Sequence, residues 1–469
     1  MRIQGEYVLR VLQDGGHQAY FVGGCVRDEL MGRPVHDMDI ATSAKPDEVV
    51  QLFERTVPTG IQHGTVTVLM EDHAFEVTTF RKESDYADHR RPVSVEFVDA
   101  VTEDLRRRDF TMNAIARGLD GELIDPFDGR RDIERGRIRC VGVAEERFEE
   151  DALRMMRAVR FASTFGFRPV KSLWKALLAG RDKLSFIATE RVRMELEKIV
   201  LGPDPLRGLA LLERSGLLRY AKAAQEAAEV GGGAGGASGA GAGGMAPGED
   251  GAPAAGALGA DAVLTRLLHR EPPRRALLAA LPLLEPALPA LRWSLLLQAL
   301  GAPGEAASPL LKSWTFPNQT AQEAAGLVRF DEAWEAILAG APGEREQRRG
   351  WIGLQVAFGR ETAGLWLRRQ QAVLQAAKGD AAKRQQAGQA MLHLAGQWHR
   401  EVQVHTLKEL AISGGEVLQA AGRKGGPWLS ELLKELLLAV AAGELRNDKQ
   451  SLLEHVETVV KKDGSKPID

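Results

Sequence analysis

Near residue 140 the hydrophobic pattern of this chain changes period, and no other feature limits its fold as strongly. Before that point, short β-rich runs alternate with helix-like runs. Ala19–Val22, Asp37–Ala41, Thr65–Met70 and Phe75–Phe80 read as strands, and Lys45–Glu54, opened by Ser-Ala-Lys-Pro-Asp, reads as a helix. The opening MRIQGEYVLRVLQDGG reads as a short amphipathic helix that stops at Gly15-Gly16. From about residue 144 onward the strand signals vanish. Ala, Leu, Glu, Arg and Gln then recur at helical spacing, punctuated by Gly and Pro. The pattern predicts an α+β first part, a mixed sheet with helices, followed by an all-α remainder. A length of 469 residues predicts several domains.

Residues 231–260 interrupt the helical part. They are almost entirely Gly, Ala, Ser and Pro, lack the side chains to bury a core, and are expected to form a disordered surface loop. No strand precedes them and no Gly-Lys-Ser/Thr ends them, so they are no phosphate loop. Lys plus Arg is 61 and Asp plus Glu is 64, a net charge of −3 that excludes a generally basic nucleic-acid coat. Basic clusters nevertheless occur at Arg90-Arg91, Arg106–Arg108, Arg130-Arg131, Arg135, Arg137 and Arg139, as RNA backbone binding requires. Two cysteines, Cys25 and Cys140, exclude a disulfide framework or a cysteine zinc site and suit a reducing cytoplasm. No apolar run reaches the roughly 18–20 residues of a membrane span, so no membrane partner is expected.

Three constellations carry chemistry. In Phe21-Val22-Gly23-Gly24-Cys25-Val26-Arg27-Asp28 a strand enters two glycines where a helix should begin. Glycines allow close backbone approach, and helix N-termini favour anions. Asp37 and Asp39 follow. At i and i+2 of a strand they share a face, where two carboxylates repel unless a cation such as Mg²⁺ sits between them. Glu76 alternates with apolar neighbours and could join that face; an exposed strand position is the equal alternative. The second constellation is Arg107-Arg108-Asp109-Phe110-Thr111-Met112-Asn113, with Asp109 expected near a helix N-terminus and aimed at a ligand. The third runs from Glu150 to Arg160. On one continuous helix, Glu150, Arg154 and Arg157 would share a face, and Asp151 would neighbour Arg154 at i+3.

GGCVRD, DMD, RRDFTMNAIA, DPFDG (Asp125–Gly129), EDALRMMRAVRFA (Glu150–Ala162) and ERVRMELEKI (Glu190–Ile199) occur in that order. Together they resemble the class II tRNA nucleotidyltransferases, the CCA-adding enzymes, and their relatives the bacterial poly(A) polymerases. The likeness runs from Tyr20 to Leu201, with a weaker echo at Leu407–Leu438. It implies a nucleotidyltransferase head at 1–140, a helical neck at 141–205 that recognises the nucleotide base, a helical body at 206–400 holding the 231–260 insertion, and a tRNA-binding tail at 401–469. Arg81–Val95 resembles the flexible loop of full CCA-adding members, and Asp125–Gly129 the hinge between head and neck. The implied reaction adds C, C and A to tRNA 3′ ends from CTP and ATP without a template, by two-metal transfer that releases pyrophosphate. CC-adding, A-adding and poly(A)-adding enzymes share the head. A non-catalytic RNA-binding protein would have lost the aspartate pair.

By the same resemblance, Asp37 and Asp39 would hold two Mg²⁺ ions, with Glu76 a candidate third ligand. Gly23, Gly24, Arg27 and Asp28 would shape the triphosphate pocket and Arg108 would hold the triphosphate. Asp109 would read the ribose 2′-hydroxyl, beside Asn113. Asp151 and Arg154 would read the base, Glu150 would position Arg154, and Arg157 and Arg160 would add nucleotide contacts. The base reading obeys a simple inventory. A carboxylate only accepts and a guanidinium only donates, so one Asp and one Arg suit the amino donor and ring acceptors of C and of A. G and U present the opposite order. A homodimer is compatible with the chain, but the sequence fixes no oligomeric state.

Overall fold

The computed structural model describes residues 1–87, 91–224, 275–377 and 382–463, with side chains at 83–94, 382–385 and 461–463 left aside. The expected insertion at 231–260 therefore lies outside the described residues. The chain divides into two compact units, Met1–Arg270 and Glu271–Asp469.

The first unit opens with helix α1 (Arg2–Asp14), which buries Val8, Leu9 and Leu12 and ends at Gly15. A seven-stranded mixed sheet follows, in the order β3-β4-β5-β2-β1-β8-β9. Its strands are β1 (Ala19–Val22), β2 (Asp39–Thr42), β3 (Thr56–Gly60), β4 (Thr65–Leu69), β5 (Ala74–Thr79), β8 (Ala116–Arg117) and β9 (Leu123–Ile124). β1 and β2 pair antiparallel and β2 and β5 pair parallel. Both faces are covered. Phe21, Ile40, Val66, Val68, Phe75 and Val77 pack under α1, α2 (Gly24–Leu30) and α3 (Pro46–Leu52). Val22, Ala41 and Ala116 turn the other way, onto Val101 and Leu105 of α4 (Val101–Arg106). Strand alternation sorts these residues, and it puts Asp39 and Glu76 on the α4 side.

The segment expected as a flexible loop, Arg81–Val95, forms an antiparallel hairpin of β6 (Arg81–Ala87) and β7 (Arg91–Phe97); residues 88–90 lie outside the described residues. After α5 (Gly129–Glu134), a two-residue strand β10 (Arg137–Ile138) pairs in parallel with β11 (Arg168–Pro169). This corrects the expectation of no strand beyond residue 144. A two-residue ladder ending in proline is too short to leave a periodic signal. The remainder of the unit is helical: α6 (Ala144–Glu150), α7 (Leu153–Phe165), α8 (Lys171–Gly180), α9 (Thr189–Val200) and α10 (Pro205–Ser215). α7 packs on α9 and α10, and α6 packs on α8.

The second unit is helical among its described residues. Phe330, Trp334, Trp351 and Trp366 form an aromatic nucleus, with Trp351 and Trp366 centroids 5.2 Å apart. Beside it, buried Asp331 accepts from Trp366 Nε1 at 2.6 Å, Gln370 Nε2 at 2.5 Å and Arg369 at 2.9 Å, and also from Gln298. A second apolar cluster joins Val404, Ile412, Val417, Leu436, Leu452 and Val456. No helix among the described residues is long and apolar enough to cross a membrane.

Candidate active site

The sheet positions the first constellation. Val22, the last residue of β1, lies opposite Asp39, the first of β2, so the Gly23-Gly24 turn stands beside that carboxylate. Gly23 has φ 76°, and a Cβ there would stand 2.8 Å from an Arg108 guanidinium nitrogen. The positive φ is what calls for glycine there; the Arg108 head, at the end of a flexible side chain, could shift. Helix α2 then carries Arg27, which donates to Asp28 at 2.9 and 3.0 Å and to Asn113 Oδ1 at 2.7 Å. Its guanidinium also lies 4.6 Å from the Phe165 ring centroid.

Asp37 precedes β2 rather than lying within it, a small correction to the expected strand Asp37–Ala41. The alternation nevertheless begins earlier than the ladder: Met38 and Ile40 are buried while Asp37 and Asp39 face outward. Ile40 lies opposite Val77, which brings Glu76 of β5 alongside Asp39. Desolvation raises the Asp39 carboxyl above its usual range; Arg108 opposes this, and the Glu76 and Asp37 carboxylates add to it. The donors are hard oxygens, as Mg²⁺ prefers. Among the described residues no three His, Cys, Asp or Glu side chains converge as a closed metal cage.

Asp109 is buried at the turn after α4. It accepts from Arg157 at 2.5 and 2.8 Å, from Asn113 Nδ2 at 3.0 Å and from the Phe110 N–H at 2.8 Å. Desolvation alone would raise its carboxyl, but Arg157, Asn113 and Arg154 outweigh it and hold it at about 2. Asp104, fully buried one turn earlier, binds Arg107 at 2.8 Å and Arg108 at 3.3 Å and so fixes both guanidinium groups.

The third constellation is not one helix. α6 ends at Glu150, Asp151 is extended at φ −143° and ψ 104°, and α7 starts at Leu153. A local bond accompanies the break: the Asp151 carboxylate accepts the N–H of Leu153, the first residue of α7, at 3.1 Å. The expected Asp151–Arg154 contact is replaced. Asp151 pairs with Arg191 of α9 at 3.0 Å. Arg154 donates to Glu150 at 2.5 Å and to the carbonyls of Arg147 and Arg107 at 3.2 and 3.1 Å. Glu150 therefore does hold Arg154. Arg160 binds buried Glu195 at 2.5 Å.

These groups enclose a cleft of about 480 Å³. Gly23, Gly24, Arg27, Asp39, Arg108, Asp109, Asn113, Asp151, Arg154, Arg157 and Arg160 all line it. Asp28 and Glu150 stand behind as anchors of Arg27 and Arg154, and Asp37 and Glu76 lie beside Asp39 without lining it. Sequence reasoning missed Arg107, Leu153, Phe161 and Arg191 as lining residues. Arg191 sits in the ERVRMELEKI motif, which marked the place without a role. Seven arginines face three aspartates in this cleft, an excess that suits a polyanion such as a nucleoside triphosphate. Of the other basic clusters, Arg130 pairs with Glu134 and Arg139 with Asp132. Arg90 and the side chain of Arg91 lie outside the described residues.

The poly(A) polymerase head domain family matches residues 19–139. A probable RNA- and SrmB-binding site of polymerase A matches 166–227, and tRNA nucleotidyltransferase domain 2 matches 289–456. The chain is 38% identical to a CCA-adding enzyme of Geobacillus thermodenitrificans over 95% of its own length and 94% of the relative's. It is 37% identical to one of Lactiplantibacillus plantarum over 96% and 95%. It superimposes on the Bacillus stearothermophilus CCA-adding enzyme in complex with CTP with a TM-score of 0.74 and 33% identity, covering 98% of each chain. The Thermotoga maritima CCA-adding enzyme complexed with tRNA shares the fold at a TM-score of 0.59 and 19% identity.

Proposed function

The chain belongs to the CCA-adding tRNA nucleotidyltransferases, and from that premise we propose that it completes tRNA 3′ ends with C, C and A, taking CTP and ATP in the Gly23–Arg191 cleft and releasing pyrophosphate. The observation that carries this reading is the convergence of Asp39, Asp109, Asp151, Arg108 and Arg154 on one cleft. Arg27 and Arg108, each anchored by an aspartate, hold the triphosphate. The Asp109 carboxylate stays ionised and accepts the ribose 2′-hydroxyl, which a deoxynucleotide lacks. Asp151 accepts from the exocyclic amine of C or A, and Arg154 donates to the adjacent ring acceptors. G and U would set a carbonyl against the carboxylate and a ring N–H against the guanidinium, and each base atom so mismatched loses its hydrogen bond at about 1–3 kcal/mol. Arg157 keeps Asp109 charged, and Arg160, fixed by Glu195, adds positive potential.

Asp37 and Asp39 would hold Mg²⁺, with Glu76 adjoining, and the metal when bound would supply Lewis acidity to the attacking 3′-oxygen and the phosphates. Head, neck, body and tail at 1–140, 141–205, 206–400 and 401–469 divide the labour, with tRNA held by the helical parts. The buried, unpaired Cys25 and Cys140 suit a reducing cytoplasm.

The test uses tRNA transcripts lacking CCA, ending in C, or ending in CC, given Mg²⁺ with CTP and ATP separately and together. Convergence of all three on CCA supports the proposal. A stop at CC, extension only from CC, or a growing A-tail would assign the same head chemistry to a specialised relative.

A further inference from the structure

Phe161 lines the cleft among seven arginines and three aspartates, and nothing in the proposed reaction uses it. Three guanidinium groups gather at its ring. Their central carbons lie 4.0 Å from the ring centroid for Arg160 and 5.4 Å for both Arg27 and Arg157. Arg157 and Arg160 reach the ring from α7, at i−4 and i−1, and Arg27 reaches it from α2. The ring itself is fixed. It is 3% exposed, stands edge-to-face with Phe110 at 5.7 Å and stacks with Phe165 at 5.6 Å.

Three like charges around one ring repel one another. Desolvation lowers the Arg160 pKa, Glu195 opposes this, and the Arg157 charge lowers it again. Each cation rests on one carboxylate, Arg27 on Asp28, Arg157 on Asp109 and Arg160 on Glu195. These acids leave donors over. Asp109 takes Nε and Nη2 of Arg157, and Glu195 takes Nε of Arg160. Among the described residues, Arg157 Nη1 and both terminal nitrogens of Arg160 make no hydrogen bond. A further acid at position 161 would neutralise the cluster, and an aliphatic side chain would attract none of it. An aromatic ring does neither. Its negative face draws guanidinium groups electrostatically while their in-plane N–H donors stay available. Ordered cations with donors to spare are what phosphate oxygens require.

We propose that Phe161 is a positioning residue for the triphosphate. Its ring holds Arg27, Arg157 and Arg160 together against their mutual repulsion, so that the phosphates of the incoming nucleotide meet a preformed cation cluster. This deepens the reading of the cleft as a nucleotide site and rests on it. Base choice belongs to Asp151 and Arg154, whose partners are Arg191 and Glu150. The ring therefore sets phosphate affinity and leaves discrimination among bases alone.

The test is calorimetric titration of the full chain with inorganic tripolyphosphate, which carries the phosphates alone, in buffer free of divalent metal. Phe161 is replaced by leucine and by a series of fluorinated phenylalanines, which keep the ring's shape while draining its negative face. Phe161→Leu should weaken tripolyphosphate binding about tenfold. Affinity should fall stepwise from phenylalanine through the monofluoro and difluoro rings to the pentafluoro ring. CTP affinity, titrated the same way, should fall in parallel, and the preference for CTP over UTP should be kept. Thermal melts identify a variant that has not folded, and the fluorinated series reads the ring's charge where leucine leaves a cavity. Unchanged tripolyphosphate affinity in folded Phe161→Leu would overturn the proposal. So would a flat fluorinated series, which would make Phe161 a packing residue alone, and so would loss of the CTP preference in step with phosphate affinity. Wild-type addition assays run with Mg²⁺ keep the two readings apart. A wild type with ring-dependent tripolyphosphate affinity that adds no nucleotide would sink the reaction and leave the role of Phe161 standing. An active wild type with ring-independent affinity would sink that role alone. A wild type that binds neither tripolyphosphate nor CTP would overturn both.

Discussion

Arg157 and Asn113 both donate to Asp109, and the pair holds that carboxyl at about 2 against the cost of burial. Its folded value lies below its unfolded value. The stabilisation is therefore complete above about pH 4 and lost as pH falls through about 2. Asp109→Asn should melt lower than wild type at pH 7, by about 1–3 kcal/mol, and the gap should narrow between pH 4 and pH 2. A gap that widened on acidification would contradict the pairing. The same variant should accept dCTP more readily relative to CTP. Asp151 and Asp37 separate base choice from chemistry. Asp151→Ala should lower discrimination against UTP and GTP by roughly ten- to a hundredfold in competition assays. Asp37→Ala should lower kcat on the order of a thousandfold while tRNA still binds in a gel-shift assay. The carboxylates and arginines of this site were legible as residue types in ordered motifs. Their partners were not. Asp104, Glu195 and Arg191 lie 3 to 40 residues from what they hold, and only tertiary packing brings Glu195 to Arg160 and Arg191 to Asp151.

At the scale of elements, alternation made β1, β4 and β5 readable, and a proline start made α3 readable. β3 was missed because Thr56–Gly60 contains Pro58 and is mostly exposed, so it carries no apolar alternation. β8 and β9 are two residues each, shorter than any periodic window. The break between α6 and α7 was missed for a different reason. Intrahelical charge spacing favoured continuity, yet Asp151 turns its carboxylate to the Leu153 N–H and to Arg191. Glycine positions carry information of the same kind. A Cβ on Gly129, at the start of α5, would meet the Thr111 carbonyl oxygen at 2.1 Å, in the short turn that ends at Asn113. Thr111 is fixed there by donating to Asp132 at 2.9 Å, which Arg139 also binds at 2.9 Å. Gly129→Ala must push α5 away from this turn. A loss of about 2–3 kcal/mol in urea denaturation is expected, with weaker CTP binding because Asn113 moves with the turn. A variant with unchanged stability would mean that the two elements do not touch.

Over the whole molecule, a net charge of −3 conceals two strongly basic surfaces in the first unit, and a polyanion reads those local fields rather than the total. Seven arginines against three aspartates line the cleft, and five cations against no acid line a groove between α8 and α10. Affinity for tRNA should therefore fall steeply with salt, because the entropy gained by releasing counterions from several phosphates shrinks as salt rises. The same argument bears on the segment 231–260, which lies outside the described residues. It contains no Lys or Arg, and its charged residues are Glu249 and Asp250. It has no cation to offer a phosphate, no aromatic ring to stack on a base, and two acids that repel RNA. Deleting 231–260 should leave CCA addition and tRNA affinity within about twofold of the intact chain, with an unchanged salt slope. A tenfold loss of tRNA affinity with CTP binding intact would give the segment a role in RNA binding that its side chains cannot supply directly. It would then have to act through the placement of the helices it connects.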